Sequence, residues 1–140
     1  MSDALITKSI LDVYRLEKQI LKQPQIDLPV ENAFCHGLYA RTMFIPADTV
    51  LTGAAHKEEG FFVVRSGILI VTTDNGPVQV SAGYMGITSK GAKRAGYAVT
   101  DVVFTTFHAN PEEIREEKDI WDKFTEPPPA NIEKLLEGTE

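Results

Sequence analysis

The chain contains one cysteine, Cys35. No disulfide can form within it, and a lone thiol fits a reducing compartment. Cys35 is expected to behave as a small buried hydrophobe. Long apolar runs are missing as well: the longest, Gly60 to Arg65 (GFFVVR), falls far short of the ~20 residues a membrane-crossing helix needs. The opening MSDALITKSILDVYRLEK scatters charges and lacks the apolar heart of an export signal. A cytoplasmic protein with no membrane partner is therefore expected. There is no internal repeat, no P-loop, no nucleophilic triad and no low-complexity segment beyond Pro127-Pro128-Pro129. An excess of positive charge is also absent: the net charge is −6. Acids and bases balance through residue 109, so the whole deficit lies in 110–140. That balance argues against a nucleic-acid polymer as partner and leaves room for a local basic site.

The residues that are present divide the chain into three parts. Ile6, Ile10, Val13, Leu16 and Ile20 recur every three or four residues, predicting an amphipathic helix within 1–24, capped by Ser2 or Asp3 and closed by Pro24. Over 25–110 the pattern turns to strands: FCHGLYARTMFI, GFFVVR, GILIVTT, VQVSA, YMGIT and AGYAVTDVVFTTFHA. Turn signals at Ile45-Pro46-Ala47-Asp48, Ser66-Gly67 and Asp74-Asn75-Gly76-Pro77 separate them. Short strands with no helix between them predict an antiparallel barrel or sandwich. The acidic tail, 111–140, reads as helical. Asn110-Pro111-Glu112-Glu113 is a helix-start signature, Ile114, Trp121 and Phe124 form an apolar stripe, and IEKLLE makes a short final helix before Gly138.

The strand block resembles the cupin family, small jelly-roll barrels marked by two motifs. IPADTVLTGAAHKEEGFFVVRSG fits the frame of the first and GYMGITSKGAKRAGYA that of the second. Asp48 stands at the first motif's glycine turn, a position Asp tolerates. The resemblance implies a mainly β fold, a single cupin-type jelly-roll barrel with an N-terminal helix and C-terminal helices. It also implies a metal site at four ligand positions, of which three are altered here. Ala54 replaces a histidine, Gly60 replaces the glutamate, Arg94 replaces the second motif's histidine, and only His56 survives. A catalytic metal needs about three protein ligands, and a guanidinium repels a cation, so no metal and no cofactor is expected. His36 and His108, with Glu58, are the residues from which a different metal site could be rebuilt.

A site of this composition favours an anion. Ser89-Lys90-Gly91-Ala92-Lys93-Arg94 is the densest basic run in the chain, and arginine grips phosphate or carboxylate through two parallel bonds. Arg94 is expected inward at the barrel mouth with Lys90 and Lys93 assisting. His56 is expected to hydrogen-bond the ligand, and Tyr84 or Tyr97 to stack on it. Tyr39, Phe44 and Phe62 are further aromatic candidates. Glu58 or Glu59 could instead pair with Arg94, or form an acid–base couple with His56. Of the adjacent Phe61 and Phe62, one must face the core.

GITSKGAKRAGYAVTDVVFTTFHANPEEIREE and LYARTMFIPADTVLTGAAHK also resemble a group of small cupin-like proteins of tailed phages. That resemblance implies a protein of the infected cell's cytoplasm that binds and sequesters a nucleotide-derived immune signal without cleaving it. The competing expectations are an isomerase or lyase using His56, a metal-dependent enzyme with a rebuilt site, and a structural virion protein. Because short isolated helices are marginal, the flanking helices are expected to pack on the barrel or on a neighbouring subunit, in a homo-oligomer.

Overall fold

The computed structural model describes residues 7–137. Ile6, the proposed caps Ser2 and Asp3, and Gly138 lie outside the described residues. Helix α1 spans Lys8–Ile20, and its N-cap is Thr7, whose hydroxyl accepts from the Ile10 amide. Its buried face is Ile10, Leu11, Val13 and Tyr14, whereas Leu16 is partly exposed. The face is rotated from the expected stripe, and α1 lies against β3 and α3.

Eleven strands follow: β1 (Val30–Cys35), β2 (Leu38–Ile45), β3 (Val50–Thr52), β4 (Ala55–His56), β5 (Gly60–Ser66), β6 (Ile68–Thr73), β7 (Gly76–Ser81), β8 (Met85–Thr88), β9 (Ala95–Ala98), β10 (Val102–Ala109) and β11 (Thr125–Glu126). Two more helices are α2 (Glu117–Phe124) and α3 (Ile132–Glu137). A five-stranded sheet runs β1-β2-β10-β5-β8, a four-stranded sheet β3-β9-β6-β7, and β11 pairs with β4. All pairings are antiparallel. Ile45, Val64 and Val102 from the first sheet interlock with Leu69, Val71, Val80 and Ala98 from the second, so the sheets pack face to face around a shared core without closing into a continuous barrel. Phe62 is buried in this interior and Phe61 points away from it.

Two segments expected as single strands are broken. His36 and Gly37 both take positive φ, 47° and 75°, which turns 34–45 into a β1–β2 hairpin. Residues 95–109 split at Val99–Asp101, where the chain leaves one sheet for the other. Asp48 has φ 65°, the left-handed turn the first motif frame demands at that point. Its amide donates to the Ala98 carbonyl at 2.7 Å.

The tail departs most from expectation. Asn110-Pro111-Glu112-Glu113 starts no helix. Asn110 is 1% exposed, and its side chain holds Ile114 by bonds to its N–H (3.1 Å) and carbonyl (3.0 Å). Glu113 has φ 51°. The capping side chain is spent on a loop, and α2 begins only at Glu117. Ile120 and Phe124 form its buried face and pack with Tyr39, Phe34 and Ile114. Trp121, expected in that stripe, is 58% exposed. Cys35 is exposed too, because it ends the edge strand β1 with its side chain turned away from the core.

Candidate functional site

A cavity of about 300 Å³ opens between the two sheets, at the end covered by α2. Strand alternation builds one wall: Tyr39, Arg41 and Met43 of β2 and Phe104, Thr106 and His108 of β10 occupy alternate positions and share the inner face. The cross-strand pairs Thr106–Arg41 and His108–Tyr39 set these residues side by side. The opposite wall carries His56 and Arg94. The loop preceding β9 is tied to β4 by Gly91 donating to the His56 carbonyl (2.7 Å) and His56 donating to the Ala92 carbonyl (3.3 Å). That pairing puts Arg94 beside His56. Glu117, Ile120, Trp121 and Phe124 of α2 close the rim.

Electrostatics define the site. His56 and His108 lie with ring centroids 5.6 Å apart. Burial, followed by repulsion from Arg94 and Arg41, lowers the His56 pKa. Burial, His56 and Arg41 push His108 down to about 4. Both rings are neutral at pH 7. The His108 Nε2 shares a 2.9 Å hydrogen bond with the Thr106 hydroxyl. The His56 Nδ1 is the one buried side-chain polar atom among the described residues with no hydrogen-bond partner, and such an atom costs stability unless something binds it. The Arg94 guanidinium lies over the Phe62 ring at 5.6 Å and reaches only the Ile87 carbonyl, at 3.4 Å. Among the described residues neither Arg41 nor Arg94 has an ion-pair partner. Two guanidinium groups therefore face a cavity whose only acidic lining residue is Glu117.

The sequence-predicted residues divide. Arg94 and His56 line the cavity, with Tyr39 and Phe62. Lys93 does not. Its ammonium is buried against α1, bonded to Glu17 at 2.6 Å and lying 4.7 Å over the Tyr14 ring. Its neighbour Arg94 lines the cavity instead. Lys90 is exposed and absent from the lining. Tyr84 stands outside the cavity, against the Phe62 ring at 5.8 Å, and the Tyr97 hydroxyl donates to Asp48 at 2.6 Å. Phe44 lies on the opposite face of β2. Glu58 and Glu59 are exposed and pair with neither Arg94 nor His56. Arg41 and the α2 residues were missed. Only the alternation from Tyr39 to Arg41 could have pointed to the first, and nothing local pointed to the second.

The residues present do not fit a metal. No three His, Cys, Asp or Glu side chains are grouped for one among the described residues. His36 lies in the exposed β1–β2 turn, away from His56 and His108. At Gly60, the family's glutamate position, a Cβ would sit 2.6 Å from the Phe107 carbonyl and 3.6 Å from the His108 Nδ1. Strand β10 has closed over the space a ligand side chain would cross.

No protein-family model matches the chain, and no curated protein matches it. Solved structures do. The plu4264 protein from Photorhabdus luminescens superposes with a TM-score of 0.54 at 17% identity, covering 63% of this chain and 79% of its own. The cupin-2 domain of an XRE-family transcriptional regulator from Enterobacter cloacae gives a TM-score of 0.50 at 14% identity, over 57% of this chain and 93% of that domain. EutQ from Clostridium difficile gives 0.50 at 17% identity, over 61% and 69%. The fold is therefore that of the cupin jelly roll, with an N-terminal helix and C-terminal helices. At these identities the likeness defines architecture and not activity.

Proposed function

We propose that this protein binds a compact anionic ligand, a phosphorylated compound, without a metal. The observation that carries this reading is the pair of guanidinium groups, Arg41 and Arg94, neither in an ion pair among the described residues, on one cavity beside a buried His56 nitrogen lacking a partner. An anion would neutralise the two cations and supply an acceptor or donor for His56. The Tyr39, Phe62 and Phe124 rings offer apolar faces to the rest of the ligand. The volume stands at the lower end of the ~300–1,000 Å³ usual for ligand sites, which favours a small phosphate ester over an extended chain. The finer reading, sequestration of a nucleotide-derived immune signal in an infected cell, rests on the sequence resemblance to small tailed-phage proteins. Lys90, Lys93, Tyr84 and Tyr97 do not line the cavity.

Calorimetric titration with inorganic phosphate and nucleoside monophosphates tests the proposal. A charge-assisted bond contributes about 1.5–3 kcal/mol, so Arg94→Gln should weaken binding roughly 10- to 150-fold, and Arg94→Glu should abolish it. Binding unchanged by Arg94→Glu overturns the assignment. Recovery of the nucleotide chemically unaltered after incubation separates binding from turnover by His56.

A further inference from the structure

The cavity has a rim as well as an interior, and α2 builds it. Glu117 and Trp121 stand four residues apart on this helix and so share one stripe of it, next to the stripe that Ile120 and Phe124 bury. Both line the cavity. Trp121 is the chain's single tryptophan and is 58% exposed. It stands outside the stack that Phe34, Tyr39, His108 and Phe124 form. Its ring therefore serves the mouth of the cavity rather than the core.

The end of α2 is fastened to the site. Thr125, the residue after the helix, pairs with His56 across β11 and β4, and its hydroxyl donates to the Trp121 carbonyl at 2.5 Å. The Lys57 amide donates to the Phe124 carbonyl at 3.1 Å. The indole is thus held one helical turn from the partner of His56, beside which Arg94 lies. At the start of the helix, Glu117 is within electrostatic reach of the Tyr39 hydroxyl, whose pKa burial raises, Arg41 lowers and Glu117 raises further. A carboxylate that can only accept hydrogen bonds stands at the rim and, among the described residues, forms no ion pair.

The cavity is therefore divided by chemistry. Inside, two guanidinium groups and the His56 nitrogen suit a phosphate. At the mouth, an open indole face suits a flat ring, and the carboxylate suits N–H donors while repelling a second anionic group. Resting on the reading of the cavity as an anion site, we propose that its ligand is a phosphate monoester carrying a planar heteroaromatic ring with N–H donors. The ring stacks on Trp121 and its donors bond to Glu117.

Because no other tryptophan is present, fluorescence reports this subsite alone. Titrations with inorganic phosphate, ribose 5-phosphate and adenosine monophosphate test the proposal, with emission excited where adenine is transparent. Adenosine monophosphate should quench the emission and bind most tightly, whereas the other two should bind without quenching. In calorimetry, Trp121→Ala should weaken adenosine monophosphate about 5- to 150-fold, the loss of one base–aromatic stack, and leave inorganic phosphate within about twofold. Trp121→Phe, which keeps a ring, should restore most of that affinity. Glu117→Gln should weaken adenosine monophosphate about tenfold without weakening phosphate, because it removes an anion from the cavity. Phosphate binding with no preference for adenosine monophosphate, or a preference that survives Trp121→Ala, overturns the ring subsite and leaves the anion site standing. Failure of all three compounds to bind overturns the anion site itself, and the ring subsite with it.

Discussion

At the scale of single residues, the site is governed by where positive charge goes unpaired. Arg41 and Arg94 both depress the His56 pKa, and Arg41 also depresses that of His108. Arg41→Gln should therefore raise both histidine pKa values, read by NMR titration of the ring protons, and weaken phosphate binding by about tenfold or more. His108 couples the site to stability. Its pKa is about 4 in the folded chain, against 6.5 for a free side chain. Between these values the unfolded chain binds the extra proton, so stability is complete above about pH 6.5 and falls as pH drops toward 4. The loss approaches about 3 kcal/mol, and His56 adds to it in the same direction. Thermal melts across that range should show the decline, and His108→Gln should flatten it. Bound phosphate should oppose it by stabilising the protonated rings. Arg94 was legible in the sequence because a motif frame with intact glycines places its position at the cavity. Arg41 was not, because it meets His56 and His108 only through pairing of strands far apart in the chain.

At the scale of elements, two connections matter. The Lys93–Glu17 bond, joined by the Thr52 hydroxyl donating to the same carboxylate oxygen at 2.7 Å, fastens α1 to the sheet. Lys93→Ala leaves Glu17 facing the vacated pocket and should cost about 3 kcal/mol in chemical denaturation while leaving phosphate affinity unchanged. A loss of affinity equal to that of Arg94→Gln would return Lys93 to the site. The second connection is the 110–116 loop that delivers α2 to the cavity rim. Asn110→Ala removes both bonds that hold Ile114 and leaves backbone groups without partners, an expected loss of about 1–3 kcal/mol by the same measurement. The sequence reading assigned Asn110 to a helix cap, and the structure places it in a loop instead. A side chain that can cap a helix can equally bond a loop, and only burial against the rest of the chain decides between them.

At the scale of the whole molecule, β5 and β10 of the jelly roll pack so closely at Gly60 that no side chain fits there. Gly60→Glu restores the family's residue in name, yet its Cβ must push into the Phe107 carbonyl. The variant should lose about 1–3 kcal/mol, the usual cost of overpacking, and elemental analysis should find no stoichiometric iron, zinc or manganese bound. No helix of the described residues is long and apolar enough to cross a membrane. Of the flanking helices, α1 packs against β3 and α3, and α2 against β11.

Local sequence determined the antiparallel strands, the turns at Asp48, Gly67 and Asp74–Gly76, and the final helix Ile132–Glu137. Each follows from alternation, from residues that accept positive φ, or from spacing within a short frame, and all of these act over a few residues. Tertiary structure alone decided that Lys93 turns to α1 while its neighbour turns to the cavity, that Arg41 joins Arg94, and that α2 completes the rim. These outcomes depend on which distant strands become neighbours, and the free energy of that choice comes from burying apolar surface across the whole sandwich rather than from any local preference.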